Sequence, residues 1–93
     1  MDGLDKELTR EVVIVNTLGL HARAAAKIAK CVQNAKSNIW IIKDDTKADA
    51  SRIIDILTLV CVQGSKITIK IDDRADLEKL NDLVKLVEKG FEE

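Results

Sequence analysis

The limits of this 93-residue chain are set first by what it has little of. It contains no proline and no tyrosine, one tryptophan, one phenylalanine, one histidine and two cysteines. Without proline, no helical run is broken by one. Trp40 and Phe91 are too few aromatics for the stacking platform of an RNA-binding α/β sandwich. Fifteen Lys and Arg stand against 16 Asp and Glu, and this near-balance leaves no broad basic surface for nucleic acid or an anionic membrane. The longest apolar run, residues 56–62, contains Thr58 and is too short to cross a bilayer, so no membrane insertion is expected. A lone histidine cannot complete a zinc-finger pattern, and Cys31 and Cys61 do not make a C-x-x-C pair. Free thiols in a reducing compartment are expected, with a disulfide or metal site as the alternative. No cofactor is expected.

The chain has the ordinary balance of a globular protein, 46% apolar and 33% charged, at a length suited to one core. A single domain over residues 1–93 follows. Asp2, Asp5 and Glu7 stand in an opening stretch with no apolar core, unlike a secretory signal, so a cytoplasmic location is expected. Residues 1–7 are expected to fray at their start.

Arg10-Glu11-Val12-Val13-Ile14-Val15 is rich in β-branched residues and reads as a strand. Asn16 and Gly19 carry turn chemistry. From about residue 22 to 33, Ala24, Ala25, Ile28, Ala29 and Val32 recur at helical spacing, and the alanines let that helix lie close on a sheet. Residues 38–43 form a second strand, and residues 46–49 return as its hairpin partner. Asp49 or Ser51 offers a cap for a helix over residues 52–60. That helix has more apolar positions than one buried face needs, so it is either deep in the core or partly exposed as a partner surface. After a turn at Gln63-Gly64-Ser65, residues 66–71 alternate polar and apolar as a half-buried strand. Asp72-Asp73 caps a last helix over about residues 75–89, with Leu77, Leu80, Leu83, Val84 and Val87 as its buried stripe and Gly90 as its stop. The fold class is α+β: β-α-β-β-α-β-α, a four-stranded, mostly antiparallel sheet covered on one face by three helices.

The only histidine sits where the first strand gives way to the first helix, in Gly19-Leu20-His21-Ala22-Arg23. The unpaired N–H groups that open a helix, with its positive dipole end, form an anion site and favour a neutral, nucleophilic imidazole. Arg23 adds a fixed positive charge. A nucleophilic nitrogen, a set of donors and an arginine are parts that phosphoryl transfer uses. A structural histidine and a merely solvated arginine are the plainer alternative.

These residues, followed by Ala25-Ala26, resemble the active-site signature of the HPr family of histidine-containing phosphocarriers. Length, element order and the Gln63-Gly64 turn with its following strand are also similar. The resemblance implies an open-faced β-sandwich working in a sugar phosphotransferase system, a covalent relay rather than a turnover enzyme, and a monomer is expected. Enzyme I would phosphorylate His21 on Nδ1, with Arg23 as charge partner, and the group would pass to a sugar-specific enzyme IIA. Ile53 and Ile54 match the family's apolar docking patch. Two departures stand out. The family usually has proline where this chain has Ala24. Its regulatory serine falls on Arg52, and only a gap would bring Ser51 to that place. The alternative function is an HPr-like regulatory binding module that signals phosphorylation state without feeding sugar uptake.

Overall fold

Four strands pair antiparallel throughout, in the order β1-β4-β2-β3, in the computed structural model, which describes residues 7–92. For residues 1–6 the expected frayed start lies outside the described residues. The elements are β1 (Thr9–Val13), α1 (Ala22–Cys31), β2 (Ile39–Lys43), β3 (Thr46–Asp49), α2 (Ile53–Leu57), β4 (Lys66–Ile71) and α3 (Leu77–Glu88), with 3₁₀ turns at Arg74–Asp76 and Gly90–Glu92. This is the expected β-α-β-β-α-β-α order. None of the helices described is long and apolar enough to cross a membrane.

The alternation in β4 explains the layering. Ile67, Ile69 and Ile71 are buried, and they align with Val12 of β1 and Ile41 and Ile39 of β2. Ile28 of α1 and Leu80, Leu83 and Val87 of α3 close over that face in one core. Ala24 and Ala25 are wholly buried, so the buried side of the first turn of α1 presents only methyl groups to the core. The other face of the sheet is only partly covered. There the Lys47 ammonium lies 4.4 Å from the centroid of the Trp40 ring, and Trp40 Nε1 donates to Asp72 at 3.1 Å.

Boundaries differ from the sequence pattern for local reasons. Regular pairing of β1 stops at Val13, because Ile14 exchanges hydrogen bonds with Ser65 and Gly64 in the loop before β4. Helix α2 is shorter than residues 52–60. Thr58 Oγ1 turns back on the Asp55 carbonyl, and Leu59 and Val60 make i→i−3 bonds that tighten the chain out of α-geometry. Neither Asp49 nor Ser51 caps it. Asp49 Oδ1 is taken by Ser51 N and Oγ, and Arg52 stands at the N-cap with no side-chain cap bond. Asp73 caps the 3₁₀ turn rather than α3 itself, accepting from Ala75 N at 2.8 Å. Beyond Gly90 the chain folds back, burying Phe91 completely, and Lys27 Nζ donates to the Phe91 carbonyl at 2.6 Å.

Asp76 joins two distant segments. Only 2% exposed, it accepts from Lys36 N at 2.8 Å and Ser37 N at 3.0 Å, tying the turn before β2 to the start of α3. Asp76→Ala leaves two N–H groups without their acceptor. It is expected to cost about 2–4 kcal/mol in urea unfolding. A loss below 1 kcal/mol would mean that water replaces the carboxylate at no net penalty.

Candidate functional site

The approach to His21 is fixed by a short turn. Gly19 N donates to the Asn16 carbonyl at 3.1 Å, and the buried Asn16 Nδ2 donates back to the Gly19 carbonyl at 2.8 Å. Gly19 has φ +70°, and a Cβ there would lie 2.5 Å from the Cys61 carbonyl oxygen and 3.0 Å from Val62 Cα. Only glycine fits. Its neighbour Leu20 is buried and donates its N–H to that same Cys61 carbonyl at 2.8 Å. Two loops far apart in sequence are thereby locked together, and Gln63 Nε2 adds a bond to the Val15 carbonyl at 3.0 Å.

From that anchored turn His21 becomes the N-cap of α1. Its backbone is extended (φ −86°, ψ −178°), and its carbonyl accepts the first helical bond from Ala25 N at 2.9 Å. The imidazole does what Ser or Asp usually does at such a place. Nδ1 accepts from Arg23 N at 3.1 Å and Ala24 N at 3.4 Å. These contacts assign a lone pair to Nδ1 and the ring proton to Nε2. The ring is partly exposed. The Arg23 guanidinium is exposed on the first turn, with no side-chain partner among the described residues. A nucleophilic nitrogen, two backbone donors and a cation therefore meet at one helix end.

Ile53 and Ile54 divide the apolar excess of α2 with its inner residues. Ile56 and Leu59 are buried, whereas Ile53 is 38% and Ile54 73% exposed. Helix α2 packs against α1, the helix that His21 caps. Leu18 (71%), Val60 (68%) and Val62 (64%) are exposed on the two loops locked together beside His21. Val60 belonged to the apolar excess over residues 52–60 that the sequence left open between core and partner surface, whereas Leu18 and Val62 were passed over. Leu18, an apolar residue inside a turn between Thr17 and Gly19, was the one available signal. Ser51 is exposed, and its Oγ donates to Asp49 Oδ1 at 2.7 Å.

Both thiols are free. Burial pushes Cys61 up from its ordinary value, with Lys43 opposing and Asp44 adding to the shift; burial, then Asp82, does the same to Cys31. The native state thus holds these protons more tightly than the unfolded chain. Any stability they contribute is complete below the unfolded thiol range and is lost as pH rises through the higher native values. Reaction with a disulfide reagent at pH 8 is expected to be slower than for the unfolded chain, and equal rates would contradict it.

A family model described as the phosphorylation site of the phosphotransferase HPr component matches residues 8–89. The phosphocarrier protein HPr of Neisseria meningitidis is 30% identical over 86 residues, 92% of this chain and 97% of that protein. The phosphocarrier protein NPr of Shewanella violacea is 34% identical over 87 residues, 94% and 96% of the two chains. The crystal structure of an HPr from Thermoanaerobacter tengcongensis superposes with a TM-score of 0.85 at 33% identity, covering 91% of this chain and 96% of that one.

Two glycines test the loop lock. Gly19→Ala meets the Cys61 carbonyl at positive φ and is expected to cost about 2 kcal/mol or more, and to shift the His21 ring resonances. Gly64→Ala, at φ +91° with nothing within 4 Å of the new methyl, is expected to cost only about 1 kcal/mol and to leave the ring unmoved. Equal effects would show that strain alone, and not the contact, holds the loop.

Proposed function

Because the chain belongs to the HPr family of phosphocarrier proteins, we propose that His21 accepts a phosphoryl group on Nδ1 from enzyme I and passes it to a sugar-specific enzyme IIA. The observation that carries this reading is the bonding of Nδ1 itself. Its lone pair is aimed at two backbone N–H groups at the positive end of α1. In the transfer, that lone pair attacks phosphorus and the donor's phosphorus–nitrogen bond breaks. The electrons return to the donor nitrogen, and Nε2 keeps its proton. The lone pair is then consumed, and phosphoryl oxygens one bond further out become the acceptors for Arg23 N–H and Ala24 N–H. The guanidinium of Arg23 neutralises part of their charge. Onward transfer reverses the same steps, so the protein acts by positioning and charge rather than as a turnover enzyme.

Ala24 gives this chain a donor that proline at the same place would lack. Ile53 and Ile54 serve as partner contacts, in an interface small and transient enough to be exchanged between donor and acceptor. The reading takes the carrier as a monomer of one HPr-like domain in the cytoplasm, with His21 and Arg23 supplied by the same chain. Ser51 is the candidate regulatory position. A kinase acting there must first break its Oγ bond to Asp49.

A second reading is a regulatory phosphocarrier without sugar transport. It is supported by the NPr relative, 34% identical, which stands beside HPr relatives at 30% and 33%. Transfer from the loaded chain to a sugar-specific enzyme IIA separates the two.

Incubation with phosphoenolpyruvate and enzyme I is expected to add one acid-labile phosphoryl group to the wild type and none to His21→Ala, read by intact mass. Arg23→Ala is expected to slow transfer about 10–100-fold, and Ala24→Pro to shorten the adduct's lifetime by about threefold to tenfold, as befits one lost donor. A folded wild type that stays unmodified would sink the phosphocarrier proposal.

A further inference from the structure

Val60 stands in a backbone conformation that suits it badly. Its φ is +50°, in the left-handed region that favours glycine and that a β-branched side chain enters only under strain. The backbone there has a clear purpose. Val60 N bonds to the Leu57 carbonyl and closes the turn after α2, while the Val60 carbonyl accepts from Lys43 Nζ at 2.9 Å. The next residue, Cys61, receives Leu20 and seats the His21 loop. All of this is backbone work that glycine or asparagine would perform without strain. The valine side chain buries little within the chain, since the residue is 68% exposed. A strained residue whose side chain meets solvent is accounted for by something outside the fold.

The other end of α2 repeats the pattern. Arg52 occupies the N-cap with no side-chain bond, placing a cation at the positive end of a helix, where charge favours the opposite sign. Between Arg52 and Val60 lie the exposed Ile53 and Ile54, and Val62 follows two residues later. Arg23 is exposed on the first turn of α1. An apolar surface edged by two arginines with no side-chain partner among the described residues complements an apolar patch flanked by carboxylates.

We infer that Val60 is a docking residue for the protein that loads His21, its isopropyl group held outward at the expense of backbone strain to widen the apolar contact around the phosphoryl site. This rests on the phosphocarrier reading, and the partner is a protein with an apolar, acid-edged face that carries the donor phosphohistidine. A docking role and a structural one differ in sign. If Val60 served the fold, replacing it would weaken the fold. If it serves the partner, replacement by glycine strengthens the fold and weakens the encounter.

The test compares wild type, Val60→Gly and Val60→Ile in thermal melting and in initial rates of phosphorylation by enzyme I from the same genome. Val60→Gly is expected to melt several degrees higher, with KM for the chain raised about tenfold, the worth of burying a valine side chain, and kcat little changed. Val60→Ile is expected to restore the wild-type KM. A wild-type KM in Val60→Gly, or a lower melting temperature, overturns the inference while leaving the phosphocarrier reading intact. A patch used for self-association overturns it too, showing as a concentration-dependent mass lost in Val60→Gly with KM unchanged. A wild type that enzyme I cannot phosphorylate overturns the phosphocarrier reading and this inference together.

Discussion

The Cys61 carbonyl oxygen is the point on which the site depends. It accepts the Leu20 N–H, and it lies so close to Gly19 that any side chain there would collide with it. A single hydrogen bond of this kind is worth only about 1 kcal/mol net, but its role here is geometric. It fixes the loop after β1 against the loop before β4, so the chain reaches residue 21 at one position and in one direction. The helix then starts where the loop leaves off, and the imidazole falls on the helix axis because the N-cap residue is the one whose side chain turns back over the first N–H groups. The position of His21 is thus set by a contact between two loops distant from each other in sequence.

The sheet and helices serve that contact. Central β4 pairs with both β1 and β2, so the loops at its start and at the end of β1 emerge side by side. The wholly buried Ala24 and Ala25 keep α1 seated on the core, and Asp76 and Lys27 tie the far turn and the C-terminal segment to the same body. A carrier needs this asymmetry. In the proposed role the acceptor nitrogen must be held to within about 0.5 Å, while the surface around it stays apolar, exposed and quickly released.

Much of this was legible in the sequence because the signals are local. Strand β4 shows its alternation residue by residue, α1 its alanine-rich period, and Gly19-Leu20-His21 its turn-to-helix junction. The fold and the place of the histidine at a helix start follow from those, whereas the acceptor role of Nδ1 came from the family resemblance alone. What escaped was set by tertiary geometry. The shortening of α2 comes from Thr58 bonding back to Asp55, and the loss of its cap from Asp49 turning to Ser51 instead; both are choices among near-equal local partners. The burial of Phe91 depends on a reversal after Gly90 that no periodicity announces. For Val60 the apolar string left core and exposed surface equally open, and only its positive φ and exposure decide between them.

Ala24 shows how a departure from a family pattern can be read physically. Proline at the third position of a helix stiffens the first turn and gives up an N–H that no helical carbonyl needs. Alanine gives back that N–H, and here it points at His21 Nδ1. A site with one more donor holds a phosphoryl group more tightly, which favours loading and retards release. Since a relay is limited by whichever step is slower, the extra donor suits a carrier that must stay charged while its acceptor is scarce. The same surplus would burden one that turns over quickly. The substitution therefore bears on what the chain is adapted to do as well as on how its helix begins.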